Sequence, residues 1–221
     1  MKTPPSLLNF LLTLSLITGQ IKPDPNPLQD YCIADNQNPQ SFFLDGSPCI
    51  NPKEARPTHF GTSDLSKPGN TKANQFGFYI TQTNTINLPG LNTLGLTLAR
   101  VDIAANGLVP PHWHPRASEV TICLEGALLV GFVDTSDRLY TQNLGPGESF
   151  VFPKGLIHFL FNMNSQGPAL TISGFNSQNP GAQIASGATF TSEPPIPDVV
   201  LTKAFNISAS DVTRIRRNLG G

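Results

Sequence analysis

Turn signals cut the stretch from about residue 73 to 176 into short pieces, and this punctuation constrains the fold more than any other feature. The breaks are Pro89-Gly90, Asn106-Gly107, the run from Asp134 to Asp137, Gly145-Pro146-Gly147 and Pro153-Lys154-Gly155. These residue types either tolerate positive φ or fix φ at about −65°, which is what tight turns require. Between the breaks stand strand candidates at Phe76–Thr81, Leu94–Ala104, Ser118–Leu124, Ala127–Asp134, Arg138–Leu144, Glu148–Phe152, Ile157–Asn162 and Ala169–Asn176. Several alternate with period two; Leu94, Leu96 and Leu98, for example, point one way. No helices intervene, so the expected class is all-β, an antiparallel sandwich or barrel. The 19 glycines and 21 prolines agree with that reading.

The two ends differ from this middle. Lys2 followed by the apolar run Leu7–Ile17 and the small residues Thr18-Gly19 reads as a signal peptide over residues 1–20. The run is short for a ~30 Å hydrocarbon core, and a Pro-rich polar segment follows at once. A short buried helix or a membrane anchor is the alternative. Residues 21–72 are irregular, with Ser41-Phe42-Phe43-Leu44 the one piece fit to pack, and read as an N-terminal arm. If the chain is exported, Cys32 and Cys49 are natural disulfide partners that tie this arm down. Such a loop closure contributes ~3 kcal/mol on the chain-entropy estimate. Cys123, inside an apolar strand, reads as a buried free thiol. Metal binding by all three cysteines lacks any CxxC or Cys-His spacing to support it.

Residues 73–190 form the barrel unit, and 191–221 a helical extension. There Asp198–Phe205 and Ala209–Leu219 have helical character, with Ser208 and Asp211 spaced as a capping box. A helical pair this short needs something to pack on. Asn206-Ile207-Ser208 is an N-glycosylation sequon. With 14 Lys+Arg against 15 Asp+Glu and no basic run, a nucleic-acid partner is not expected. No segment after residue 20 is long and apolar enough to span a membrane.

Three of the four histidines fall in two short motifs. His112 and His114, two apart, face the same side of a strand. Glu119 has the opposite parity, and a break near Pro115 is expected to bring it back to the same point. His158 lies on a later hairpin. Taken singly, each has a plain structural reading: a surface His pair, a strand-end carboxylate, a satisfied core histidine. Together they make a mixed N/O set suited to Mn, Fe or Zn. Burying them without a cation costs several kcal/mol.

These motifs resemble those of the cupin superfamily, and the wording resembles germins and germin-like proteins. H-x-H-x4-E-x6-G is matched by His112, His114, Glu119 and Gly126, and G-x5-P-x-G-x2-H-x3-N by Gly147, Pro153, Gly155, His158 and Asn162. Further matches are Leu28-Gln29-Asp30-Tyr31-Cys32, Lys67-Pro68-Gly69-Asn70-Thr71, the stretch Ser173–Gly181, and Pro194-Pro195-Ile196-Pro197. The resemblance implies a cupin β-jellyroll barrel with short C-terminal helices. It also implies Mn2+ held by His112, His114, Glu119 and His158, with Asn162 in a supporting role. It further implies a Cys32–Cys49 disulfide, a glycan on Asn206, an extracellular (apoplast or cell-wall) location, and a homo-hexamer in which the C-terminal helices make subunit contacts.

The same resemblance frames three functions. Superoxide dismutase-like activity, reported for some of the family, needs little beyond an accessible ion and goes with a defence or stress role. Oxalate oxidase is disfavoured: germins with that activity carry Asn where this chain has Ala99 and Val109, which cannot donate hydrogen bonds to a dianion. The third is a non-enzymatic wall component or small-ligand binder, for which Leu96, Leu98, Val109, Phe159 and Phe161 are the expected apolar lining. Two details follow as well. Asn106 replaces a glycine but tolerates positive φ, and Trp113 should turn away from the ligands by parity.

Overall fold

The computed structural model describes residues 29–37 and 46–220. The signal segment and Ser41–Leu44 lie outside them. Among the described residues, ten strands form two antiparallel sheets. They are β1 (Phe78–Gln82), β2 (Thr97–Ile103), β3 (Leu108–Trp113), β4 (Glu119–Glu125), β5 (Leu128–Val133), β6 (Leu139–Leu144), β7 (Ser149–Phe152), β8 (His158–Phe161), β9 (Ala169–Phe175) and β10 (Gln183–Ile184). The first sheet runs β1-β2-β9-β4-β7 and the second β10-β3-β8-β5-β6. Consecutive strands repeatedly change sheet, so the two layers close over a shared interior as a jellyroll.

That interior is built by alternation. In β9 every second residue is buried, and in β4 Glu119, Thr121 and Cys123 point in. The apolar core gathers Val101, Ile103, Val109, Cys123, Leu128, Val130, Leu144, Phe152, Leu160 and Ala169. Cys123 is buried and unpaired, and burial raises its thiol pKa. The expected eight strands are all present, most with trimmed ends, while β1 and β4 each run one residue further, to Gln82 and Glu125. Two more complete the sheets. β3 is the strand expected to carry His112, now with bounds; Pro110 and Pro111 within it cannot donate to a ladder, and its register against β8 shifts between Val109 and His112 to accommodate them. β10 has only two residues.

One alternation had the right period and the wrong direction for a core. Leu94, Leu96 and Leu98 do share a side, but they are 42–49% exposed on the outer surface, while Thr97, Ala99 and Val101 fill the interior. Periodicity fixes which residues go together, not which set faces in.

The arm is secured as expected. Cys32 and Cys49 form a disulfide with Cα atoms 5.0 Å apart, and Ala34 bridges Cys49. The Asn92 side chain accepts from Ser47 N at 3.0 Å and donates to Ser47 O at 2.7 Å. Further along, Asp102 accepts from Gly69 N at 2.8 Å, and Arg100 pairs with Asp102 while donating to Leu65 O.

Among the described residues, three α-helices follow the barrel: α1 (Ala185–Phe190), which was not anticipated, α2 (Asp198–Phe205) and α3 (Ala209–Asn218). The capping box is present, with Ser208 Oγ accepting from Asp211 N at 3.1 Å and Asp211 accepting from Ser208 N at 3.2 Å. Leu201 and Val212 are buried. Arg216 fastens α3 to the preceding segment by donating to Phe190 O at 3.0 Å and Ile196 O at 2.7 Å. Among the described residues, no helix is long and apolar enough to cross a membrane.

Candidate metal centre

Two strands of one sheet and one of the other bring the four side chains together. On β3, His112 pairs directly across the ladder with His158 on β8, and their ring centroids are 4.1 Å apart. His114 stands just past the end of β3. The turn before β8 is tied to it: Gly155, with φ +76°, donates its N–H to His114 O at 3.1 Å. A residue with a β-carbon would be strained at that φ. Glu119 opens β4, in the opposing sheet. Its parity relative to the histidines is therefore irrelevant, because it reaches the interior from the other wall.

All four side chains are at least nine-tenths buried. One ligand atom from each lies within 4.8 Å of every other. Glu119 Oε2 is 3.0 Å from His114 Nε2 and 3.2 Å from His158 Nε2. On their far sides the rings contact backbone carbonyls: His112 Nδ1 meets Pro110 O at 2.8 Å, His158 Nδ1 meets Leu156 O at 2.9 Å, and His114 Nδ1 meets Gly181 O. A carbonyl oxygen only accepts, so each Nδ1 carries the hydrogen and donates it. In neutral rings every Nε2 then presents a lone pair to the common point, where the carboxylate also presents lone pairs. Something positive has to stand between them. Protonating all three rings instead would crowd three buried cations, at a cost of several kcal/mol.

The electrostatics agree. Burial, with His158 nearby, lowers the His112 pKa to about 3, so this ring stays neutral and able to ligate. Burial alone would raise Glu119, but a positive partner at the facing His114 and His158 nitrogens outweighs it and holds the carboxyl below its usual range. A neutral imidazole set with one ionised carboxylate is the donor set of a divalent first-row metal. Aromatic rings fix the walls: Phe152 stacks on His158 with centroids 4.4 Å apart, and Phe175 meets His114 edge-on at 4.9 Å.

Beside His112, His114 and Glu119 lies a cavity of about 120 Å³ whose lining also includes Gln82, Ala99, Val101, Val109, Leu160 and Phe175. The expected lining was only partly right. Val109 is there, but Leu96 and Leu98 face outward, and Phe159 and Phe161 fall on the alternate face to Leu160. Asn162 does not hydrogen-bond a ligand. Its amide donates to Ala104 O and Gly167 O, both at 2.9 Å, and so clamps two turns at the end of the barrel. Asn106 takes φ +56° as expected, and Trp113 is half-buried.

Sequence reasoning missed the loop from Asn176 to Ala182. Gly181 orients His114, and Arg116 straps the loop by donating from Nε to Asn179 O at 2.6 Å, from Nη2 to Asn179 Oδ1 at 3.0 Å, and from its backbone N–H to Pro180 O at 3.1 Å. The Asn-Pro-Gly turn was visible; its contact with a strand more than sixty residues away was not.

The Cupin family model matches residues 63–213. The chain is 56% identical to germin-like protein subfamily 1 member 1 of Arabidopsis thaliana, over 97% of this chain and 100% of that one. It is 50% identical to germin-like protein 3-1 of Oryza sativa subsp. japonica, over 96% of each. Among solved structures, a recombinant oxalate oxidase in complex with glycolate superposes with TM-score 0.84 at 40% identity, covering 90% of this chain and 98% of that one. Peruvianin-I, described as a cysteine peptidase from Thevetia peruviana latex, superposes with TM-score 0.68 at 39% identity, covering 73% and 98%.

Proposed function

Since the chain belongs to the cupin family and, within it, to the germin-like proteins, we propose that it is an exported manganese protein with superoxide dismutase-like activity at the His112, His114, Glu119 and His158 centre. The observation that carries this is the convergence of three imidazoles and a carboxylate, with each ring's Nδ1 turned to a backbone carbonyl. These groups would hold the ion. When bound, manganese supplies one-electron chemistry by alternating between two oxidation states. The chain's own contribution is to fix three ring orientations through the Pro110, Leu156 and Gly181 carbonyls, and to leave a small cavity that a diatomic anion can enter. No further recognition is needed for so small a substrate.

Oxalate oxidation, despite the 40% identity to solved oxalate oxidases, is not favoured. Ala99 and Val109 line the cavity where amides would be needed, and neither offers a hydrogen-bond donor. Nor is peptidase chemistry: Cys123, the one free cysteine among the described residues, is buried in the core with its pKa raised, the reverse of an activated thiol.

Export is supported by the Cys32–Cys49 disulfide and the exposed sequon residue Asn206. Assembly with further copies is supported by the first sheet, whose outer face carries Leu98, Val120, Ile122, Leu124 and Val151 at 36–56% exposure. Thr97, Thr121, Thr171 and Ser173 are fully inside on the same strands. Such an inverted pattern asks for a cover, and another copy of the chain is the proposed one.

The test is elemental analysis of purified protein followed by superoxide decay on the same sample, with matched free manganese as control. Near-stoichiometric manganese and decay above the control, abolished in His112→Ala, are expected. Decay equal to the control removes the enzymatic reading and leaves a structural metal centre.

A further inference from the structure

Building on the manganese reading of the centre, we propose that Tyr140 is a second reactive site, at which one-electron oxidation begun by hydrogen peroxide at the centre reaches the surface and passes to small phenols. The peroxide is the product of the activity proposed above.

A continuous file of rings joins the two sites. Phe152 stacks on His158 with centroids 4.4 Å apart, and Phe150 meets Phe152 at 5.3 Å. Phe132 meets Phe150 at 5.9 Å, and Tyr140 stacks on Phe132 at 5.1 Å. Every step lies within aromatic contact range. The strand ladder gives a shorter route: Phe132 on β5 pairs directly with His158 on β8 and with Tyr140 on β6. Tyr140 thus stands two strand spacings from a candidate ligand, about 10 Å. The phenylalanines are not oxidised themselves; close-packed rings leave no water-filled gap for an electron to cross.

The outer end is suited to losing a hydrogen atom. Tyr140 is 37% exposed, so a solute can reach it. Arg138 lies over its ring, 4.9 Å from the centroid. The Asp134 carboxylate accepts from the Arg138 N–H at 3.0 Å and the Ser136 N–H at 2.8 Å. Those bonds, with a further one from the Tyr140 hydroxyl, hold its pKa below the usual range, so it stands ionised beside the phenolic proton. The other two tyrosines have no such path. Tyr31 meets the ring of Phe60, and Tyr79 makes no ring contact among the described residues.

Peroxide takes one electron from the metal and one from Tyr140, and with two protons leaves as two waters. One proton is the Tyr140 hydroxyl hydrogen, released by way of Asp134, and the other comes from solvent. The tyrosyl radical then takes a hydrogen atom from a phenol, which restores Tyr140. Tyrosine is itself a phenol, so that exchange is close to balanced in energy. Superoxide returns the oxidised metal to its lower state and leaves as dioxygen.

The experiment adds hydrogen peroxide and a nitroso spin trap to protein reconstituted to a measured manganese content, and peptide mass spectrometry locates the adduct. An adduct on Tyr140 is expected, suppressed by p-cresol, absent from Tyr140→Phe and unchanged in Tyr31→Phe and Tyr79→Phe. Tyr140→Phe keeps the stacked ring, so folding is not at stake, and its oxidation should appear instead as added oxygen on His112, His114 or His158. Phe132→Leu should lose most of the adduct at unchanged manganese content. An adduct on Trp113 in place of Tyr140, equal labelling in metal-free protein, or no adduct in the loaded wild type overturns the proposal. Labelling of Tyr140 that p-cresol leaves untouched overturns the phenol assignment. A chain that takes up no manganese on reconstitution removes instead the reading of the centre itself.

Discussion

His114 donates its Nδ1 hydrogen to the carbonyl oxygen of Gly181, a residue beyond the last long strand of the barrel. The ring of a candidate ligand is thus aimed by a loop remote in sequence, and Arg116 holds that loop in place. A β-carbon on Gly181 would lie 2.7 Å from Arg116 Nη2, and its φ is +67°, so the three residues fit together only with glycine there. Carbonyl partners of this kind fix the tautomer and heading of a metal-bound imidazole.

Arg116→Ala should therefore lower manganese affinity about 10- to 100-fold, the usual cost of losing an orienting partner. The melting temperature of the metal-free protein should change little, since Arg116 is exposed. Arg116→Lys should recover only part of the loss, because an ammonium cannot reproduce the two-pronged contact with Asn179. Metal competition titrations give the affinities. Unchanged affinity in the alanine variant would show that the strap does not position His114.

Acid should destabilise the metal-free protein through the same residues. His112 has its pKa lowered to about 3 by burial, from 6.5. Between those values the unfolded chain binds a proton at this site and the folded chain does not, so stability is complete above about pH 6.5 and declines as pH falls toward 3. The decline from this one group is at most about 1.4 kcal/mol per pH unit. Glu119, held below its usual range, acts in the same direction at lower pH. Thermal melts of chelator-treated protein from pH 7.5 to 4 should show a steady fall. A melting temperature that holds level or rises on acidification would contradict this account.

Replacing Cys32 and Cys49 by alanine should cost about 2–4 kcal/mol of stability in denaturant unfolding. Metal content should be retained, because the disulfide secures the arm against the Pro89–Leu91 turn and touches none of the four ligands. Loss of metal in a still-folded variant would point to a coupling that the contacts do not predict.

A charge on the outer face of the first sheet should disperse the assembly. Val120 is 52% exposed at the centre of the aliphatic patch, beside Gly174 and Val151. Val120→Lys is expected to reduce the particle mass in light scattering while leaving the circular dichroism spectrum unaltered. A wild-type chain that is already monomeric, or a variant of unchanged mass, would leave this face without a partner.

The sequence by itself determined the class of fold, the turn positions, the disulfide pair and the identity of the four converging side chains. Each of these is written locally: a turn needs particular residues at particular places, and a strand sorts its side chains with period two. Two distant motifs carried the histidines and Glu119, and their spacing was enough to pair them through a family resemblance. Asn162 illustrates the limit. Its place in the second motif was legible, but its contacts with Ala104 and Gly167 were not.

Tertiary structure decided the rest. It set Glu119 on the wall opposite the histidines, turned Leu94, Leu96 and Leu98 to the outside, and admitted the proline-bearing β3 to the sheet. It also brought Gly181 and Arg116 into the centre's support. The physical reason is common to all of these. Alternation is symmetric between the two faces of a strand, so which face becomes the interior depends on the sheet it meets. A backbone carbonyl, likewise, has no residue identity for a sequence to display.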